Sequence, residues 1–93
     1  MINRVRISKP AQKQLRKLPL HVAEKLRVWA ALVSEVGVEE VRKIPGYHDE
    51  PLRGQRAGQR SVRLSRAYRA FYTIAQDGVV EFVFVEEVNK HGY

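Results

Sequence analysis

The sequence contains no cysteine, which excludes disulfides, thiol nucleophiles, cysteine zinc sites and iron–sulfur clusters together. That absence is neutral between compartments. No apolar run approaches the roughly 18–20 residues of a membrane span, and the N-terminal MINRVRISKPAQ lacks the apolar core of a signal peptide. The expectation is a cytoplasmic chain with no membrane partner. The histidines, His21, His48 and His91, show no metal-ligand spacing such as HxxxH, so no metal site is expected. The glycine-rich nucleotide and P-loop motifs and the GxSxG elbow are missing too. No cofactor is implied.

What is present is basic. Against 17 Lys+Arg stand 10 Asp+Glu, a formal charge of +7, which makes a polyanion the leading partner. The 93 residues suit one domain, 1–93, and a composition of 44% hydrophobic and 29% charged residues is that of an ordinary folded domain. By halves, residues 1–46 hold ten Lys+Arg and four acids, whereas residues 47–93 hold seven and six. The count by halves hides the informative stretch. Between Arg53 and Arg69 lie six arginines (Arg53, Arg56, Arg60, Arg63, Arg66, Arg69) with no lysine and no acid. Arginine used to the exclusion of lysine points to planar, bidentate recognition of phosphate or carboxylate, since lysine serves equally well as a solubilising charge. The alternative is a solvated basic face.

Hydrophobic spacing predicts a first strand within Met1–Ser8, carried by Ile2, Val5 and Ile7. Ser8 or Lys9 then caps a helix with Pro10 in its first turn and Ala11, Leu15 and Leu18 on one stripe, ending at Pro19. Val22, Leu26, Trp29, Val33 and Val36 recur at helical intervals up to Gly37 and predict a second helix. Val38 to Gly58 reads as a long loop with one extra helical turn around Glu39–Lys43. From Gln59 the period becomes that of strands: Arg60–Ser65, Tyr68–Ile74 and Val79–Val88, joined by a turn at Arg66-Ala67 and an Asp77-Gly78 hairpin. The last strand is apolar on both faces, which suits a central strand beside the N-terminal one. The order β-α-α-β-β-β predicts an α+β fold, a twisted antiparallel sheet with a two-helix hairpin on one side.

Strand parity sorts the arginines, because side chains two apart share a face. With Val62 and Leu64 facing the core, Ser61, Arg63 and Ser65 face outward, and antiparallel pairing brings Arg69 near Arg63. Two guanidiniums so placed make an anion site for a ribose-phosphate; the alternative is Arg69 pairing with Glu86 or Glu87.

The run HDEPLRGQRAGQRSVRLSRAYRAFYTIAQDGVVEFVFVEEVNKHGY resembles the second half of toxins of the RelE/ParE superfamily, from type II toxin–antitoxin modules. The resemblance rests on EPL followed by a glycine-containing loop, the S-x-R-L strand, the YRAFY strand and a terminal His/Tyr pair. It implies the RelE-like fold. Within the superfamily it favours the RelE, YoeB and HigB branch, endoribonucleases that cleave mRNA on the translating ribosome, over the ParE branch, which inhibits DNA gyrase. Residue by residue, Glu50 in EPL matches the general base of YoeB-like members, and Arg63 and Arg69 match the side chains that neutralise the scissile phosphate. His91 and Tyr93 fall where YoeB-like proteins end in His-Tyr, with His91 as acid and Tyr93 orienting; here Gly92 separates the two. The two strand lysines of RelE align with Ser61 and Arg63.

This implies metal-free transesterification: a base takes the ribose 2′-OH proton, the oxyanion attacks phosphorus, and an acid protonates the leaving 5′-oxygen. Arg53, Arg56, Arg60, Arg66 and Lys90 are the candidate nucleic-acid contacts beyond the catalytic set. Glu50 could instead be a turn carboxylate paired with Arg53. The implied partners are mRNA, the ribosome with its rRNA, and a cognate antitoxin in a hetero-oligomer. A third reading is a non-catalytic RNA-binding module in which Tyr68, Phe71 and Tyr72 stack bases.

Overall fold

The computed structural model describes residues 1–88. Strand β1 (Val5–Ile7) leads into helix α1 (Lys9–Arg16), where the Ser8 side chain accepts a hydrogen bond from the Ala11 N–H and Pro10 occupies the first turn. After Pro19 comes α2 (Leu20–Val36), ended by Gly37, whose φ of +88° suits a residue without a Cβ. The expected extra turn is α3 (Val38–Val41). No helix among the described residues is long and apolar enough to cross a membrane.

The strands β3 (Arg60–Arg63), β4 (Tyr68–Ile74) and β5 (Val80–Glu87) run antiparallel, as their turn chemistry predicts. Two features go beyond the expected antiparallel sheet. The N-terminal strand lies beside β5, as expected, but runs parallel to it, so the sheet is mixed. A two-residue strand, β2 (Glu50–Pro51), emerges from what reads as loop and pairs with β3 at the far edge. The sheet order is β1-β5-β4-β3-β2, and β5 is an interior strand.

The helices cover one face. Val22, Leu26, Trp29 and Val33 of α2 meet Val62, Leu64, Ala70, Tyr72, Val80, Phe82 and Val85 of the sheet in one apolar cluster. Trp29 sits at its centre, its ring 5.1 Å from both Tyr72 and Phe82. Strand β5 satisfies this face only by breaking its own alternation. Phe84 pairs with Phe71 and Phe82 with Tyr72, so Val83 is an extra residue in a bulge. Phe82 and Val85 therefore face the helices while Phe84 faces away. Near the bulge the Val85 N–H donates to Gln14 Oε1 of α1 at 2.7 Å.

A polar cluster fastens the long loop to this core. The Asp49 side chain is fully buried; its Oδ1 accepts from Arg60 Nε at 2.5 Å and its Oδ2 from the Tyr72 hydroxyl at 2.6 Å. The Tyr72 oxygen in turn accepts from Arg42 Nε, 3.3 Å away. Arg42 follows α3, Asp49 precedes β2, and Arg60 and Tyr72 face each other across β3 and β4. One carboxylate thus ties both ends of the loop to the sheet. Burial, and then the bond to Asp49, push the Tyr72 hydroxyl up to about 12. Burial pulls the Arg60 guanidinium down, but Asp49 outweighs it and the net shift is upward.

Removing core methyls should cost stability in proportion to the cavity left. Leu26→Ala should lose about 2–5 kcal/mol in urea unfolding. Asp49→Ala should lose about 3 kcal/mol, the lower end for breaking a buried ion pair, because Arg60 keeps 25% exposure. The Tyr72 proton gives a third test. Its folded pKa lies above the ordinary 10, so its contribution to stability is complete below pH 10 and is lost as pH rises towards about 12. In an absorbance titration Tyr72 should ionise last, later than Tyr47, whose hydroxyl burial also pushes up, and Tyr72→Phe should remove that last step while leaving the Tyr47 step; if Tyr72→Phe leaves the titration unchanged, the buried cluster is wrong.

Candidate functional site

The face turned away from the helices carries the chemistry. In the β3–β4 register Arg63 stands opposite Arg69 and Ser61 opposite Phe71. Both arginines are half-buried and lie on the open face, as strand parity predicts. The turn between them is closed by Leu64 N–H to Tyr68 C=O at 2.9 Å and by Ala67 N–H to Ser65 Oγ at 3.2 Å. Like charges directly opposed on neighbouring strands destabilise the pair unless something offsets them. On its other side Arg69 lies across from Glu86. Its Nη1 donates to Ser61 Oγ at 3.2 Å, which turns the guanidinium along the strip towards β2.

Glu50 stands on that strip. It pairs with Ser61 in the β2–β3 register, so the row Glu50, Ser61, Phe71, Phe84 crosses four strands on one face. Glu50 is exposed, and among the described residues it makes no ion pair, with Arg53 or otherwise. Asp49 points the other way into the core, so the clamp on Asp49 sets the direction of Glu50. Sequence reading missed Asp49. The signal was there in adjacent acids at opposite parity, of which only one can face a solvated strip.

The remaining arginines divide. Arg53 and Arg66 are exposed near the ends of the strip, and Arg56 rises from the 3₁₀ turn Gly54–Arg56 to lie over Phe71, 4.6 Å from its ring centre, and over Phe84, 5.0 Å away. Arg60, expected among the nucleic-acid contacts, instead faces the helix side, because it shares parity with Val62 and its charge is met by buried Asp49. The aromatic set Tyr68, Phe71, Tyr72 also divides. Tyr72 has 0% exposure in the core and Tyr68 packs against that core, so only Phe71 belongs to the other face, where it lies beneath Arg56 and is itself only 5% exposed. Lys90, His91 and Tyr93 lie outside the described residues. His21 and His48 are exposed, His48 in a left-handed conformation (φ 46°) directly before Asp49.

No group of three or more metal-ligating side chains is gathered among the described residues. An apolar cavity of about 430 Å³ lies elsewhere, lined by Leu15, Leu18, Leu20 and Leu26 between the two helices. It carries no carboxylate. The open strip is the place with chemical capacity: a carboxylate that can accept a proton, and two guanidiniums that can hold a phosphodiester.

No family model and no curated protein matches the chain. Solved structures do. A chain of a RelBE toxin–antitoxin complex from Mycobacterium tuberculosis is 30% identical over 94% of this chain and 99% of its own, with a TM-score of 0.56. RelE of E. coli is 25% identical over 98% of this chain and 88% of its own, at 0.67. The archaeal RelE–RelB complex from Pyrococcus horikoshii matches in fold, at 0.71 and 22% identity over 97% and 99%. The strip of opposed arginines beside a carboxylate therefore sits on a RelE-like scaffold, and the chain belongs to the RelE/YoeB-like toxin superfamily.

Proposed function

We propose that this toxin is an endoribonuclease that cleaves mRNA on the translating ribosome and so arrests translation, with Glu50, Arg63 and Arg69 on the open strip as its centre. The observation that carries this reading is the pairing of Arg63 with Arg69 on the same sheet face as Glu50, a carboxylate with no ion pair among the described residues. Two guanidiniums side by side match the charge of a phosphodiester and the further charge that develops in the transition state. Glu50 removes the proton from a ribose 2′-OH. The oxygen attacks the adjacent phosphorus, and the 5′-oxygen leaves with a proton from His91, with Tyr93 orienting the ribose or the base. The products are a 2′,3′-cyclic phosphate and a 5′-hydroxyl. Arg53, Arg66 and Lys90 provide the surrounding field for the polyanion.

The 93 residues act as one toxin domain in the cytoplasm, and the partner that silences it is an antitoxin. Two of the similar structures are toxin–antitoxin complexes, and a chain of charge +7 suits an acidic partner that covers the arginine strip.

Glu50→Gln should slow cleavage of a translated mRNA by about 10²–10⁴-fold. Arg63→Ala and Arg69→Ala should each slow it by about 10²–10³-fold. These rates are measured on translating ribosomes, with gyrase supercoiling as the comparison. Intact mRNA together with blocked supercoiling would move the protein to the ParE-like activity, and full cleavage by all three variants would remove these residues from the site.

A further inference from the structure

The open face of this sheet carries a feature that charge recognition does not require. Phe71 and Phe84 lie on it with rings 5.8 Å apart and only 7° from parallel. An antiparallel sheet with one face on the core ordinarily keeps the other face polar. Phe84 reaches the open face because of the bulge at Val83; strict alternation would put it with Phe82 on the helix side. Arg56 then lies over both rings, and among the described residues no carboxylate pairs with it. Its guanidinium carbon lies 4.6 and 5.0 Å from the two ring centres.

We propose that Arg56, Phe71 and Phe84 form a nucleobase-stacking subsite for the single-stranded RNA substrate, beside the arginine pair that holds its phosphate. This inference rests on the ribonuclease reading. Bases stack on aromatic rings and on arginine planes with little regard to sequence, because every base has a π-face. The base is sandwiched against this stack, lying on Arg56 or replacing it over the rings. Its place in the register fits. Phe71 stands two strands from Glu50 in one cross-strand row, roughly 10 Å at about 4.8 Å per strand. Arg69, two residues before Phe71 in β4 and so on the same face, holds the phosphate on that side. A nucleotide whose phosphate meets Arg63 and Arg69 can therefore lay a neighbouring base on the stack while the ribose faces Glu50. The subsite supplies affinity and holds the backbone in line for attack, without reading base edges.

The test uses full-length toxin on ribosomes programmed with an mRNA made uncleavable by 2′-O-methyl groups in the vacant codon. Three versions carry normal bases, one 2-aminopurine, or one abasic nucleotide in that codon. The wild type should bind the normal mRNA at least about 5-fold more tightly than the abasic one and should quench the 2-aminopurine. In Arg56→Gln and Phe71→Leu that difference should shrink to within about 2-fold and the quenching should fall. Arg56 is on a surface turn, so its variant reports even if Phe71→Leu loses stability. Equal binding of normal and abasic mRNA by the wild type overturns the stacking subsite and leaves the ribonuclease reading standing. Binding to neither mRNA overturns both.

Discussion

The carboxylate on the open face stands where it does because of where a buried carboxylate sends its neighbour. Asp49 is held from two sides, by Arg60 and by the Tyr72 hydroxyl, and is shut off from solvent. Burying a charge is costly unless it is paired and hydrogen-bonded, and here both conditions are met. The consequence is directional. Because successive residues of an extended segment point to opposite faces, fixing Asp49 inward fixes Glu50 outward, across from Ser61. A two-residue strand would otherwise have little to define its register.

The same segregation organises the charges. The helix side takes the apolar residues and Arg60 with its buried partner Asp49, while the open side keeps Arg63 opposite Arg69. That opposition works against stability in the free protein and in favour of an anion when one arrives. Ser61 matters more than its size suggests, since it anchors Arg69 and lies between that arginine and Glu50. The bulge in β5 divides the aromatics in a similar way, with Phe82 in the core beside Trp29 and Phe84 on the face where Arg56 lies.

Much of this was legible in the chain because it follows local rules. Pro10, Pro19 and Gly37 punctuate the helices where they are found, β4 spans Tyr68–Ile74 as its alternation predicts, and parity alone placed Arg63 and Arg69 together. What escaped depends on contacts distant in sequence. Glu50–Pro51 has no strand signal of its own and is a strand only because Asp49 is clamped and β3 offers an edge. Arg60 looks like its five companions until the partner 11 residues earlier is known. Parallel pairing of β1 joins residues about 75 positions apart, and no turn motif records it. The bulge at Val83 sits inside VVEFVFVEEV, where apolar residues on both faces conceal a change of parity.

The central claim is that the arginine strip and Glu50 carry out cleavage at a ribose 2′-hydroxyl, and the chemistry of the cut ends tests it most directly. Translated mRNA exposed to the purified toxin should yield fragments ending in 2′,3′-cyclic phosphate with new 5′-hydroxyl ends downstream, read by end-specific ligation and sequencing. Fragments with 5′-phosphate and 3′-hydroxyl ends, or growth arrest with no new 5′-hydroxyl ends, would contradict the account.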